Sequence, residues 1–222
     1  MIIKEDCIFS DWVLGVGDGT IEEITDDNIK VQIPDDLLIN SSGDHIASIV
    51  DCIYPSILHN IHDLSFFEHR AILTPKNVII DEINDYVLSQ TPNEEKTYLS
   101  CDSPYADNQM IDRPDDVQTL EFLNTVNSPG LLNHKLKLKV GIPVMLLRNL
   151  HITIGMCNGT RLIITRMRRY VLEEKVISGS NIWEKVYIPR LSLTPSYPKI
   201  PFKFQRRQFP ISVYFAMTIN KS

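Results

Sequence analysis

No GxxxxGK[ST] phosphate loop occurs anywhere in the 222 residues. The glycine-rich run Gly15-Val-Gly17-Asp-Gly19 is too short and too acidic to substitute for one, because its carboxylate would repel phosphate where such a loop offers bare backbone N–H groups. There is no GxSxG nucleophile turn and no local Cys/His pairing, so no motif for nucleophilic hydrolysis is present and no catalytic residue is assigned. Cysteine is scarce: Cys7, Cys52, Cys101 and Cys157 lack CxxC spacing, which predicts unpaired thiols in a reduced compartment. No apolar run approaches the length of a membrane span, and residues 1–15 lack the basic stretch that opens a secretory signal. His59, His62 and His69 cluster without a Cys or carboxylate at ligand spacing, so they read as a solvated helix edge and no metal site is expected. The pairs Asp26-Asp27, Asp35-Asp36 and Asp115-Asp116 sit in unpatterned stretches and read as solvated turns.

What the chain does have is charge, divided unevenly. Residues 1–133 carry 6 Lys+Arg against 25 Asp+Glu, whereas residues 134–222 carry 16 against 3. The net charge of −6 therefore hides an acidic part and a basic part that face different partners. A basic block suits an anionic polymer, since each neutralised phosphate releases condensed counterions. The alternative is that the acidic and basic parts attract each other.

Along the chain, residues 1–40 look loop-rich, with Trp12, Val13 and Leu14 ending a short helix at the glycines of 15–19. Ile46, Ile49, Val50 and Ile53 make the apolar face of a helix that Pro55 interrupts. From Arg70 to Gln90 the pattern is strand, tight turn, helix. Ala71-Ile72-Leu73 reads as a short buried strand, Thr74 as the helix N-cap, Pro75 as the first helical residue, and Ile79, Ile83, Tyr86 and Val87 as one apolar face. This is the repeating element of an α/β nucleotide-type sheet, with Thr74 and Asn77 in its turn as candidates for a DNA or nucleotide contact; the alternative is an ordinary β–α unit with no ligand. Residues 91–133, punctuated by prolines, read as a connection with a short helix near Leu120, Phe122 and Leu123.

His134-Lys-Leu-Lys-Leu-Lys-Val140 then alternates strictly, predicting a half-buried strand with Lys135, Lys137 and Lys139 on a basic outer face. That face is either a nucleic-acid contact or an edge kept from aggregating by its charge. Gly141 to Leu147, Thr160 to Thr165 after the Asn158-Gly159 turn, and Val186 to Ile188 follow as strands, and the series suggests a small β-barrel. Arg148, Asn149 and Arg161 extend the candidates for DNA contact. The last fifteen residues form an apolar run delivering Thr218, Asn220 and Lys221, with nothing following to complete a site, so a fragment of a larger machine is expected. Periodicity leaves the run open: Val213, Phe215, Met217 and Ile219 fit a strand, while Ile211, Phe215 and Thr218 fit a helix.

Several runs together resemble one family. Leu136 to Asn149, followed by Cys157-Asn-Gly-Thr-Arg161, is similar to the start of the inserted module of petite-integration-frequency (Pif-type) DNA helicases. Gln205-Arg-Arg-Gln-Phe-Pro-Ile211 with Ala216 to Ser222 resembles that family's motif V, and residues 11–19, 33–38 and 70–77 resemble the version carried by Helitron transposons. The resemblance implies a superfamily 1 helicase whose two RecA-like domains hydrolyse ATP with Mg²⁺ at their interface and step 5′→3′ along single-stranded DNA. It also implies work in DNA repair, recombination and telomere maintenance, in the nucleus or mitochondrion.

On this resemblance the fold is α/β. Residues 1–116 are the first part of the second RecA-like domain, 117–203 an inserted SH3-like β module, and 204–222 a return to the RecA-like domain. Thr218 and Lys221 become backbone-phosphate contacts; Asn220 stands where the family often has His. The phosphate loop, the Mg²⁺-binding acidic motif, the first RecA-like domain and the terminal arginine motif are missing. The expected partner is single-stranded DNA and no membrane. The fragment alone is expected to bind no ATP and to be inactive. The alternatives are a standalone nucleic-acid-binding module and a transposon-derived relic.

Overall fold

The computed structural model describes residues 7–25, 28–39, 43–104, 119–126, 131–179, 181–195 and 204–218. Asp26-Asp27, Asp115-Asp116, Ile219, Asn220 and Lys221 lie outside them. The chain forms two compact units, Met1–Pro55 and Ser56–Ser222.

In the first unit, helix α1 (Cys7–Gly17) runs past Gly15 to end at Gly17. A Cβ at Gly15 would stand 3.2 Å from the Ile21 and Thr20 side chains, so the turn after the helix packs closely on this position and a larger residue would push those side chains aside. Strands β1 (Glu22–Thr25) and β2 (Asn28–Val31) pair antiparallel, and the Trp12 indole N–H donates to the Gln32 carbonyl at 3.2 Å, tying α1 to the segment after β2. Asp35 and Asp36 lie exposed in a short 3-10 turn. Helix α2 (His45–Ile53) is the expected amphipathic one. The Asp44 carboxylate caps it by accepting from the Ile46 and Ala47 N–H groups.

The second unit opens with the short helix α3 (Ile57–Asn60); His59, His62 and His69 are exposed, as expected. Strand β3 (Ile72–Thr74) leads into helix α4 (Asn77–Gln90), which buries Ile83, Val87 and Leu88. The helix starts later than its sequence suggests. Lys76 precedes the first turn, and Thr74 is the last strand residue with its side chain buried. Leu73 is exposed rather than buried, because β3 alternates.

Strands β4 (Lys96–Leu99) and β5 (Cys101–Pro104), helix α5 (Leu120–Thr125) and strands β6 (Lys135–Leu138) and β7 (Pro143–Leu146) follow. After them come β8 (Arg161–Met167), β9 (Val171–Val176), β10 (Lys185–Pro189), β11 (Leu191–Leu193), β12 (Phe204–Gln208), β13 (Ile211–Val213) and β14 (Ala216–Thr218). β6 pairs with β4, while β12 lies between β11 and β5. A five-stranded antiparallel sheet has the order β10-β9-β8-β7-β13. This sheet corrects the expected barrel: among the described strands no pairing joins β10 to β13, so it stays open.

Pairing also crosses the expected boundaries at 116 and 203. β4 is bound to β6, β11 to β12, and β13 joins the module's sheet, whereas the β5–β12 pairing joins the two stretches assigned to one domain. Among the described strands parallel pairing is reached only at β14, whose Ala216, Met217 and Thr218 lie opposite Ile72, Leu73 and Thr74 of β3. The open question over the last run resolves into two short strands with a bend between them.

One side chain makes that bend. Asn84 of α4 accepts at Oδ1 from the Phe215 and Ala216 N–H groups at 3.1 and 3.0 Å, and its amide donates to the Val213 and Ala216 carbonyls at 3.3 and 3.5 Å. Phe215 meanwhile packs on Phe67, ring centroids 6.0 Å apart. Replacing Asn84 by Leu strands two N–H donors, and we expect a loss of about 2–3 kcal/mol in urea unfolding. An unchanged urea midpoint would show that water replaces the amide at no cost.

Candidate nucleic-acid interface

Thr74 and Thr218 end two parallel strands side by side, and Asn77 opens the helix that follows the first of them. In open α/β sheets ligands bind beyond the C-terminal ends of the strands. The three residues therefore share one edge, which their distance in sequence conceals. They are not equivalent there. The Thr74 hydroxyl is buried and accepts from the Lys76 N–H at 3.4 Å, Thr218 is half-buried, and Lys76 and Asn77 are exposed. A buried hydroxyl already holding its own turn shapes this edge, while Lys76, Asn77 and Thr218 present it to solvent.

The lysine stripe is corrected by the structure. Only Lys135 is exposed. Lys137 pairs with Asp85 of α4 at 3.1 Å, a surface contact worth under about 1 kcal/mol. Lys139 is buried, and its ammonium donates to the Thr91 carbonyl at 2.7 Å. The reason lies in α4, whose C-cap is Thr91: the last turn of a helix exposes carbonyls at the negative end of its dipole, where a cation is favoured. Past Leu138 the strand is over. The chain turns through Gly141 at φ +89, so alternation no longer governs Lys139.

Lys135 and Lys137 instead line a groove of about 490 Å³ together with Asp81, Asn84, Asp85 and His134. Burial, and then the Asp85 carboxylate one turn away, push the Asp81 carboxyl upward. Here the acidic helix and the basic strand do attract each other.

Arg148, Asn149 and Arg161 gather where β7 ends and β8 begins, with Met145 opposite Arg161. Asn149 is used locally, its Oδ1 accepting from the Asn158 N–H at 2.8 Å. The Arg161 guanidinium lies 5.7 Å from the Tyr214 ring centroid. The structure thus brings Thr74, Asn77 and Thr218 to one edge and Arg148, Asn149 and Arg161 to one loop pair. Lys135, Lys137 and Lys139 lie elsewhere, at the junction of α4 and β6.

Sequence reasoning missed Arg206. It is fully buried and clasps Asp102 through Nε and Nη2 at 2.7–3.1 Å. Its remaining N–H groups donate to the carbonyls of Leu123, Val126 and Leu132. Ser100 donates to Asp102 at 2.6 Å and lies 2.7 Å from the His134 ring, while Gln208 donates to the Tyr98 and His134 carbonyls. The signal was the inward period of Phe204, Arg206 and Gln208 on one strand. Part of the run that resembles motif V is therefore a structural clamp.

Among the described residues no cluster of three His, Cys, Asp or Glu could hold a metal ion. The strand-end edge supplies a hydroxyl, an amide and a lysine. No chemical step is assigned to the chain.

Residues 121–167 match the family model for the 2B domain of DNA helicase Pif1. The Pif1 helicase from Candida albicans shares the fold with a TM-score of 0.55 at 18% identity, over 97% of this chain and 45% of that one. An unliganded Pif1 from Bacteroides sp matches at 19% identity and TM-score 0.46, over 67% and 41% of the two chains. A Bacteroides Pif1 in complex with ADP-AlF3 and ssDNA matches at 19% and 0.47, over 73% and 35%. No curated protein matches. The chain spans less than half the length of these solved helicases. By sequence across residues 121–167, and by fold along nearly its whole length, the chain is similar to the Pif1-type DNA helicases.

Proposed function

We propose that this chain is the second-domain part of an ATP-dependent DNA helicase, coupling hydrolysis elsewhere in the protein to 5′→3′ movement on single-stranded DNA and duplex unwinding. The match of residues 121–167 to the 2B domain carries this reading, because that module interrupts an α/β unit in this chain as well. In that role the edge at Lys76, Asn77 and Thr218 grips phosphate, Lys221 is a further phosphate contact by the resemblance, and Arg148 and Arg161 add charge. The nucleotide and its Mg²⁺ belong to a first RecA-like domain supplied by the complete protein. The family's work in repair, recombination and telomere maintenance, in nucleus or mitochondrion, is part of the same proposal.

Phosphate release by the purified chain, with and without an oligothymidylate, tests it. We expect no turnover above background, since no phosphate loop is present. We also expect weak binding of the oligonucleotide, with log K falling against log salt at a slope of about −2 if roughly three phosphates are neutralised. Turnover abolished by a substitution within this chain, or salt-insensitive binding, would overturn the reading.

A further inference from the structure

Four Ser-Pro or Thr-Pro dipeptides begin at described residues, at Thr74, Thr91, Ser103 and Thr194. Such a dipeptide suits a proline-directed kinase because proline has no N–H. A substrate groove with no acceptor after the hydroxyl takes proline and rejects other residues, whose buried N–H would go unpaired. The hydroxyl must also be exposed, on extended backbone that no other strand holds. Thr74 and Thr91 are buried, and the Thr91 hydroxyl already donates to the Leu88 carbonyl at 2.7 Å. Ser103 is exposed, but its backbone is held in β5, opposite Gln205 of β12. Thr194 meets both conditions. It is exposed and follows Leu193, the last paired residue of β11, while Pro195 keeps it extended and offers no N–H to prolong the ladder.

The face around Thr194 is set to receive an anion. Ser192 lies opposite Arg207, which in turn lies opposite Cys101, and the next outward pair is Gln205 with Ser103. None of these outward residues is a carboxylate. Asp102, the acid of β5, is buried and clasped by Arg206 on the inward side. Arg207 is exposed. Burial first, and then the charge of Arg207, push the Arg190 guanidinium below its ordinary value, so two cations are neighbours here. Carried one residue further, the β11–β12 register sets Thr194 opposite Gln205 and diagonal to Arg207. Diagonal neighbours stand about 7–8 Å apart, a gap that an arginine side chain spans.

We propose that Thr194 is phosphorylated by a proline-directed serine/threonine kinase and that Arg207 receives the phosphate. ATP is the donor. Its γ-phosphoryl passes to the Thr194 Oγ1, the bond to the β-phosphate oxygen breaks, ADP leaves, and the hydroxyl proton goes to the kinase's base. The product adds a charge of about −1.5 to −2 and three acceptor oxygens beside two cations that otherwise repel each other. The modification thereby tightens the seam where the chain passes from β10 of the five-stranded sheet, through β11, to the strand that carries the Arg206 clamp. It uses none of Lys76, Asn77, Thr218, Arg148 or Arg161, so it stands or falls apart from the helicase reading.

The test incubates the full chain with ATP and a purified proline-directed kinase and locates phosphate by tandem mass spectrometry. We expect phosphate on Thr194 and none on Thr74, Thr91 or Ser103, retained in Thr194→Ser and lost in Pro195→Ala. Should Pro195→Ala unfold, a kinase that selects basic residues instead of proline takes its place and should leave Thr194 of the parent unmodified. In urea, the folding equilibrium constant of the phosphorylated chain should exceed that of the unmodified chain by about twofold to fivefold, the range of an exposed charge pair. Salt at about 1 M should erase this gain, and so should Arg207→Gln. No phosphate on Thr194, equal phosphate in Pro195→Ala or from the base-selecting kinase, no gain in urea, or a gain that survives Arg207→Gln would each overturn the proposal.

Discussion

Arg206→Ala should cost the chain about 3–5 kcal/mol, read as the urea unfolding midpoint at constant slope. The value is large because the substitution removes one partner of a fully buried pair and leaves the other. Asp102 would be left with the Ser100 hydroxyl and no cation, and the Leu123, Val126 and Leu132 carbonyls would each lose a donor. Arg206→Lys keeps the charge but loses the planar fork, so it should recover only a minor part. Removing both charges, as Arg206→Met with Asp102→Leu, should be milder than Arg206→Ala alone, because no charge is then left unpaired in the core. A double variant at least as unstable as the single one would show that the carbonyl contacts, rather than the pair, dominate.

Glu174 should give the chain an unusual dependence on pH. The residue is fully buried in the middle of β9, between Ile164 of β8 and Val186 of β10, and neither carboxyl oxygen has a hydrogen-bond partner. Burial pushes its carboxyl up to about 8. Between about 4.5 and about 8 the native state thus holds a proton that the unfolded chain has released, so stability falls as pH rises through this window. This group's contribution is complete at the acid end and gone above about pH 8, with roughly 5 kcal/mol as the upper limit. Glu174→Gln should flatten the profile, and Glu174→Leu should raise stability most on the alkaline side. A parental profile that is level across the window, or one unchanged by Glu174→Gln, would contradict the burial of the ionisable form.

Much of the layout was legible. The amphipathic α2, the strand-turn-helix of β3 and α4, the short α5 and the starts of β6 to β8 all follow from period and punctuation, because local sequence dictates them. What escaped depends on neighbours distant in sequence. Leu172-Glu173-Glu174-Lys175 does not reveal which glutamate faces inward; the register with β8 and β10 decides it. Lys139 looked like a third surface lysine because the stripe alternates. Its true partner, a helix-terminal carbonyl 48 residues earlier, lies outside any local window. Arg206 and Gln208 looked like ordinary polar strand residues, and only burial shows them to be a clamp. For the candidate site, the sequence named Thr74, Asn77 and Thr218 separately, and parallel pairing put them on one edge.

That pairing has a consequence in time. Ala216 binds Asn84 at a sequence separation of 132, and among the described residues β14 is the partner β3 has. On a ribosome, β3 and α4 emerge early and wait with a bare edge while every strand of the five-stranded sheet is made. The antiparallel sheet, built largely from near neighbours, can assemble in that interval, whereas joining β3 to β14 closes a very long loop and is slow. Newborn chains are therefore most exposed to aggregation before residue 216 is threaded into place, and a chaperone would have the most to gain at that stage.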